Sequence, residues 1–326
     1  MGIIQILIAA LMICSTKAAT VDYPVRLAYI DTITQWWPPE KIAAGIGVPG
    51  FANKTIYNYL ALAFWMSSGA ADCVLIWSDP LKYFGPDSQF GTTKQEIQLN
   101  LKKRYNDAGI KIMISAFGAT EFPTSAGKDP VATAKQLSAF VAANNLDGVD
   151  IDWEDNAAME AGKGEDWLIK FQNQLRADLP NHIITHAPQG PYFCKEFYKN
   201  GGYITVDQQV GSKIDFYNIQ FYNQGNTEYN TYESLFIKSV GYFNATSVKE
   251  IAARGVPMKK LVVGKPASRA DVMNTGYVDS PSLGSWISQA YSELKWYGGV
   301  MYWQYKSDLA GNEIINAAGH LRELCA

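Results

Sequence analysis

Three carboxylates spaced two residues apart, Asp150, Asp152 and Glu154, are the part of this 326-residue chain best suited to chemistry. They stand in Asp147-Gly148-Val149-Asp150-Ile151-Asp152-Trp153-Glu154. Alternate residues of a strand point to opposite sides. The three acids therefore share one face, and Val149, Ile151 and Trp153 take the other. Neighbouring acids on such a face are about 6.6–6.8 Å apart along the backbone. Charges that close resist simultaneous ionisation, raise at least one pKa and favour a shared proton. The spacing predicts that Asp150 and Asp152 share a proton at rest. Two other readings compete: an edge strand that turns its acids to water, and a divalent-cation site, since hard cations take carboxylate oxygens. The bulky apolar opposite face, as in a strand covered by helices, and Gly148 relieving crowding at its start favour a buried strand.

The surrounding sequence supplies neighbours for it. Strand patterns fall at 26–30, 59–64, 111–117, 148–154, 183–187, 216–222, 261–266 and 299–305, with helical stretches between them. Thr93-Lys94-Gln95-Glu96 is a capping box that opens a helix running to about residue 107. Asp129-Pro130 starts another, ending near Asn144. In a third, from Asp166 to Leu179, Trp167, Leu168, Phe171 and Leu175 form a core stripe. Eight strands alternating with helices make an α/β fold, a single (β/α)8 TIM barrel. Such barrels work at the carboxyl ends of their strands. Glu154 is then nearest the mouth and Asp150 deepest.

Residues 3–13 are an apolar run too short to span a bilayer. With Thr16-Lys17-Ala18 as a cleavage site, they read as a secretory signal peptide over residues 1–18. The catalytic barrel is expected over residues 19–326, secreted, extracellular and free of the membrane. Cys14 leaves with the leader, and Cys73, Cys194 and Cys325 allow at most one disulfide. Asn53-Lys54-Thr55 and Asn244-Ala245-Thr246 are N-glycosylation acceptors. The net charge of −3 and the lack of a basic patch point away from nucleic acid. Aromatic residues make up 13% of the chain, enough for a large core and for a sugar-stacking cleft.

The eight positions from Asp147 to Glu154 resemble the D-G-x-D-x-D-x-E signature of glycoside hydrolase family 18, the chitinases and endo-β-N-acetylglucosaminidases. The resemblance implies a barrel with this strand as the fourth. It also implies a hydrolysis in which the substrate's own 2-acetamido group attacks the anomeric carbon, so that no second carboxylate nucleophile is needed. Carried over by position, Glu154 is the general acid/base and Asp152 orients the acetamido group. Asp150 supports Asp152 from below, and Asp147, Gly148 and Ser115 are structural.

Ile219-Gln220-Phe221-Tyr222-Asn223 resembles the family's Q-F-Y-N segment, whose tyrosine donates to the acetamido oxygen. Tyr222 alone would read as an interface ring at a strand end. Trp303 matches the tryptophan of the last strand, under the reacting sugar, where a late-strand Trp is otherwise core. Tyr29, Phe64, Gln189 and Gln220 are further candidates for the cleft, and Trp36 and Trp37 could extend it. One departure stands out: the usual S-x-G-G after the third strand is Ser115-Ala116-Phe117-Gly118, which suggests a reshaped floor near Asp150. His186 reads as a hydrogen-bonded core histidine. Too little chain separates the last two strands for a large insertion domain. No cofactor or metal is implied, and a monomer is expected. The implied substrate is chitin or another N-acetylglucosamine-containing glycan. The N-glycan chitobiose core is the alternative, and an inactive chitin-binding lectin is a third reading.

Overall fold

The structure is a computed structural model and describes residues 20–31, 57–69, 72–308 and 312–324. The expected leader, Trp36, Trp37, Asn53 and Cys325 lie outside them, as does the side chain of Cys73. Eight parallel strands close into a barrel in sequence order. They are β1 (Val25–Ile30), β2 (Tyr59–Trp65), β3 (Lys111–Gly118), β4 (Gly148–Trp153), β5 (Ile183–His186), β6 (Phe216–Gln220), β7 (Leu261–Pro266) and β8 (Gly299–Trp303). The fold is the expected (β/α)8 barrel. Strands β4, β5, β6 and β8 end one or two residues earlier than their patterns suggested, because the backbone there leaves the ladder for the loops. Glu154 and Tyr222 consequently stand just past their strands, at the mouth. Between β7 and β8 lie only a short turn (Arg269–Asp271) and one helix (Ser280–Leu294).

The two faces of β4 separate as its alternation requires. Val149, Ile151 and Trp153 are fully buried in the layer between sheet and helices. That layer also takes the stripe Trp167, Leu168, Phe171 and Leu175 of the helix Gly164–Asp178. Gly148 is required by its neighbour: a Cβ there would stand 2.4 Å from the Ile183 carbonyl oxygen of β5. Helix starts follow the caps. Thr93 accepts from the Glu96 amide at 3.2 Å and Asp129 from the Ala132 amide at 2.7 Å. Asp147 accepts from the Ile112 amide (2.9 Å) and lies 3.3 Å from the Lys102 ammonium, tying β3 to the start of β4.

Two strands break their alternation just below the mouth. On β3, Ser115 faces inward, so strict alternation would send Phe117 inward too. Phe117 instead has φ 80° and joins the outer layer, with the rings of Trp65, Trp167 and Phe171 at 6.1, 6.0 and 5.8 Å. The expected reshaping of the floor near Asp150 by Phe117 is therefore not found. On β2 the pairing with β3 shifts register between Ala63 and Trp65, and Ala63 and Phe64 both pack on the inner cluster. Gly118 (φ 66°) makes room for that ring, since a Cβ there would meet Phe64 carbons at 2.9 Å.

Candidate active site

Asp150 sits at the bottom of the site and is fully buried. Four side chains donate to it. Tyr29 and Ser115 hydroxyls reach Oδ2 at 2.6 and 2.8 Å, and Thr185 Oγ1 and Asn218 Nδ2 reach Oδ1 at 2.6 and 3.0 Å. Ser115 and Thr185 are its register partners on β3 and β5, so barrel closure itself delivers them. A carboxylate offers about four lone-pair sites, and here all four are taken. Burial lifts the Asp150 pKa and the donors oppose that lift. Thr185 and Asn218 were missed in the sequence, where an inward Thr or Asn on a strand looks ordinary. Tyr29, expected in the cleft wall, is 2% exposed and commits its hydroxyl to Asp150.

Asp152 lies one step higher and faces Glu154. Gln220 Nε2 donates to Asp152 Oδ1 at 2.8 Å, to Glu154 Oε1 at 3.2 Å and to the Ala187 carbonyl at 3.1 Å. Gln189 Nε2 donates to Glu154 Oε2 at 3.2 Å. Burial, the charges of Glu154 and Asp150, and a hydrogen bond to Glu154 raise the Asp152 carboxyl well above the ordinary carboxylate range. The expected electrostatic coupling of Asp150 and Asp152 is present, and Glu154 adds more to the rise at Asp152 than Asp150 does. Four donors oppose the rise at Asp150, while Asp152 and Glu154 face each other through a hydrogen bond. The two glutamines hold that pair in place: Gln220 bridges both acids, and an isolated bridge joins the backbones of Gln189 and Gln220.

Tyr222 is buried at the end of β6, packed with Tyr29, Ala187 and Met301 inside the barrel. Burial, then the charges of Asp152, Glu154 and Asp150, push its hydroxyl well above the usual tyrosine value, so it keeps its proton and remains a donor. Trp303 and Phe64 are half-buried and stack at 5.9 Å with 19° between planes, and Tyr29 lies 5.9 Å from Trp303. An aromatic floor, a hydrogen-bonded carboxyl pair and a neutral hydroxyl donor thus meet at the carboxyl end of the barrel. The arrangement can protonate a leaving oxygen and stabilise charge that develops beside it.

Two buried groups near these strands take no part in the cleft. His186 bonds Tyr203 Oη (3.1 Å) and Gln172 Oε1 (3.0 Å), with burial pushing it down to about 3, so it is a neutral core residue as expected. Cys194 is a free, buried thiol.

The sequence profile of glycosyl hydrolases family 18 matches residues 48–280. The chain is 26% identical over 277 residues to a chitinase of Enterococcus faecalis, covering 78% of this chain and 72% of that one. It is 24% identical to chitinase 1 of Aphanocladium album over 71% of its own length, but spans only 56% of that longer protein. Among solved structures, a family 18 chitinase from Pseudoalteromonas aurantia superposes with a TM-score of 0.65 at 25% identity, covering 90% of this chain and 99% of the other.

Proposed function

The chain belongs to glycosyl hydrolases family 18, and on that premise we propose that it is a secreted, retaining hydrolase of β-1,4-linked N-acetylglucosamine in chitin and its oligosaccharides. The single observation that carries this reading is the Asp152–Glu154 pair, bridged by Gln220, with the Asp152 carboxyl raised well above the ordinary carboxylate range and a neutral Tyr222 at the same strand ends. Glu154 gives the proton to the glycosidic oxygen as the bond from C1 to that oxygen breaks. The 2-acetamido oxygen of the same sugar closes on C1, and positive charge spreads over the new ring. Asp152, left as a carboxylate, turns to accept the acetamido N–H and stabilises that charge, while the Tyr222 hydroxyl donates to the acetamido group. Glu154 then takes a proton from water, which opens the ring from the original face and returns the β anomer.

Asp150 is a positioning residue in this scheme. Its carboxyl lies below Asp152 and raises the pKa of that neighbour. Trp303, with Phe64 beside it, offers the apolar face on which a pyranose ring lies.

Parallel digests test the substrate class: chitin oligosaccharides in one, a high-mannose glycoprotein in the other, each with Glu154→Gln as control. Shortened chitin oligosaccharides, lost in Glu154→Gln, are expected. Release of the N-glycan with intact chitin oligosaccharides would move the assignment to the chitobiose core. Binding without turnover of either across a broad pH range would make the chain a lectin.

A further inference from the structure

On the loops that follow β5 and β6, three large hydrophobic side chains stand exposed: Phe197 (36%), Val240 (44%) and Tyr242 (72%). The rings of Phe197, Tyr242 and Phe243 close a triangle. Centroids are 5.4 Å apart for Phe197–Tyr242, 5.1 Å for Phe197–Phe243 and 5.2 Å for Tyr242–Phe243. Each pair crosses near a right angle, and the Tyr242 ring remains the most open. A protein surface seldom leaves such a patch without a purpose.

The chain beside it carries a chemical reason. Two residues after Tyr242 comes exposed Asn244, followed by Ala245 in the left-handed region (φ 57°) and by Thr246, which is fully buried. Thr246 Oγ1 bonds the Phe243 carbonyl at 2.8 Å and the Tyr229 hydroxyl at 2.7 Å, and the Thr246 amide donates to Ser239 Oγ at 2.9 Å. The tripeptide Asn-Ala-Thr is thus a fixed knuckle, threonine inside and asparagine outside, next to an open aromatic ring.

We propose that Asn244 carries an N-linked glycan whose first N-acetylglucosamine lies on Tyr242, so that the protein's own sugar covers the aromatic triangle. The inference rests on the secretion reading above and is independent of the hydrolytic chemistry. In the transfer, Asn244 Nδ2 bonds to C1 of the sugar, and C1 leaves the diphosphate of a lipid-linked oligosaccharide donor. The amide gives up one proton. Because the Thr246 hydroxyl that completes the acceptor is enclosed once the chain has folded, transfer precedes folding. A pyranose presents C–H groups on one face, and an exposed tyrosine two residues away buries that face while its hydroxyl stays wet. The rigid bend limits the entropy lost on stacking.

The test uses the full chain produced in a eukaryotic secretory host. N-terminal sequencing, glycopeptide mass spectrometry and thermal melts are made on the wild type, Tyr242→Ala, Asn244→Gln and the double variant. Expected are a processed N-terminus, an occupied Asn244, and a fall in Tm on the order of 2 °C or more for Tyr242→Ala that shrinks below half in the Asn244→Gln background. An unprocessed N-terminus would sink the secretion reading and this one with it. A processed chain with bare Asn244 overturns this inference alone. An occupied Asn244 with equal Tyr242→Ala effects in both backgrounds overturns the stacking, and so does concentration-dependent dimerisation that Tyr242→Ala abolishes.

Discussion

Replacing Phe117 by glycine or by alanine separates two properties of that residue, its ring and its backbone. The ring is wholly buried against Trp65, Trp167 and Phe171 on the helix side of the sheet. Truncating such a ring costs about 3–5 kcal/mol. The φ of 80° holds strain of about 1–2 kcal/mol in any residue but glycine. Alanine keeps that strain. Glycine releases it but loses about 0.5–1 kcal/mol to the freedom of the unfolded chain. Phe117→Ala is therefore expected to cost about 3–5 kcal/mol, with Phe117→Gly about 0.5–1 kcal/mol less damaging. At about 2 °C per kcal/mol for a chain this long, Tm falls by about 6–10 °C in the alanine variant and roughly 1–2 °C less in the glycine variant. Calorimetric melts measure this, and turnover of a short chitin oligosaccharide well below Tm measures the rest. Since the ring faces away from Asp150, kcat should stay within about twofold, a change of under half a kcal/mol. A glycine variant that melts like the wild type but loses turnover several-fold would refute the reasoning and return Phe117 to the cleft floor.

In the proposed mechanism Asp152→Asn removes the charge that accepts the acetamido N–H, so kcat should fall on the order of 10² or more with a much smaller change in KM. Steady-state kinetics that match the wild type would make Asp152 merely structural. Gly118→Ala places a Cβ 2.9 Å from Phe64 ring carbons and must push that ring off Trp303. A several-fold rise in KM is expected, and an unchanged KM would mean that the stack lies outside the sugar's path. Asp308 accepts from the Tyr57 hydroxyl (2.6 Å) and the Glu313 and Ile314 amides (2.9 and 3.0 Å), yet burial lifts it to about 6. The folded chain then holds a proton that the unfolded chain, with its carboxyl near 4, has lost, so this group makes stability fall as pH rises from about 4 to 6. The loss is at most about 3 kcal/mol, and denaturant titrations should show that limb absent in Asp308→Asn; a limb of unchanged slope contradicts the assignment.

The barrel and its acid column were legible because both depend on local periodicity. Eight short apolar runs alternating with capped helices leave few topologies, and three acids at period two on β4 must share a face. What escaped depends on neighbours distant in sequence. Thr185 and Asn218 become Asp150 donors only when β5 and β6 take their places in the closed barrel. The unequal surroundings of the acids followed from them: two close acids raise each other, but four donors oppose the rise at Asp150 while Glu154 adds to the rise at Asp152. Phe117 and Phe64 depart from strict alternation, because a left-handed residue on β3 and a register shift on β2 interrupt the pattern by which side-chain direction is read; the expected place of Phe117 was lost to it, while Phe64 still faces the inner cluster.

The claim at the centre of this account is that the substrate's acetamido group, held by Asp152 and Tyr222, is the nucleophile that Glu154 assists. The most direct measurement is the anomeric configuration of the first product, followed by proton NMR from the start of chitin oligosaccharide cleavage and before mutarotation. Two displacements at C1 return the original face, so the account predicts the β anomer first, with the α anomer appearing only as the solution equilibrates. An α anomer as the initial product would mean a single displacement by water and would contradict the assignment of roles to Asp152, Glu154 and Tyr222.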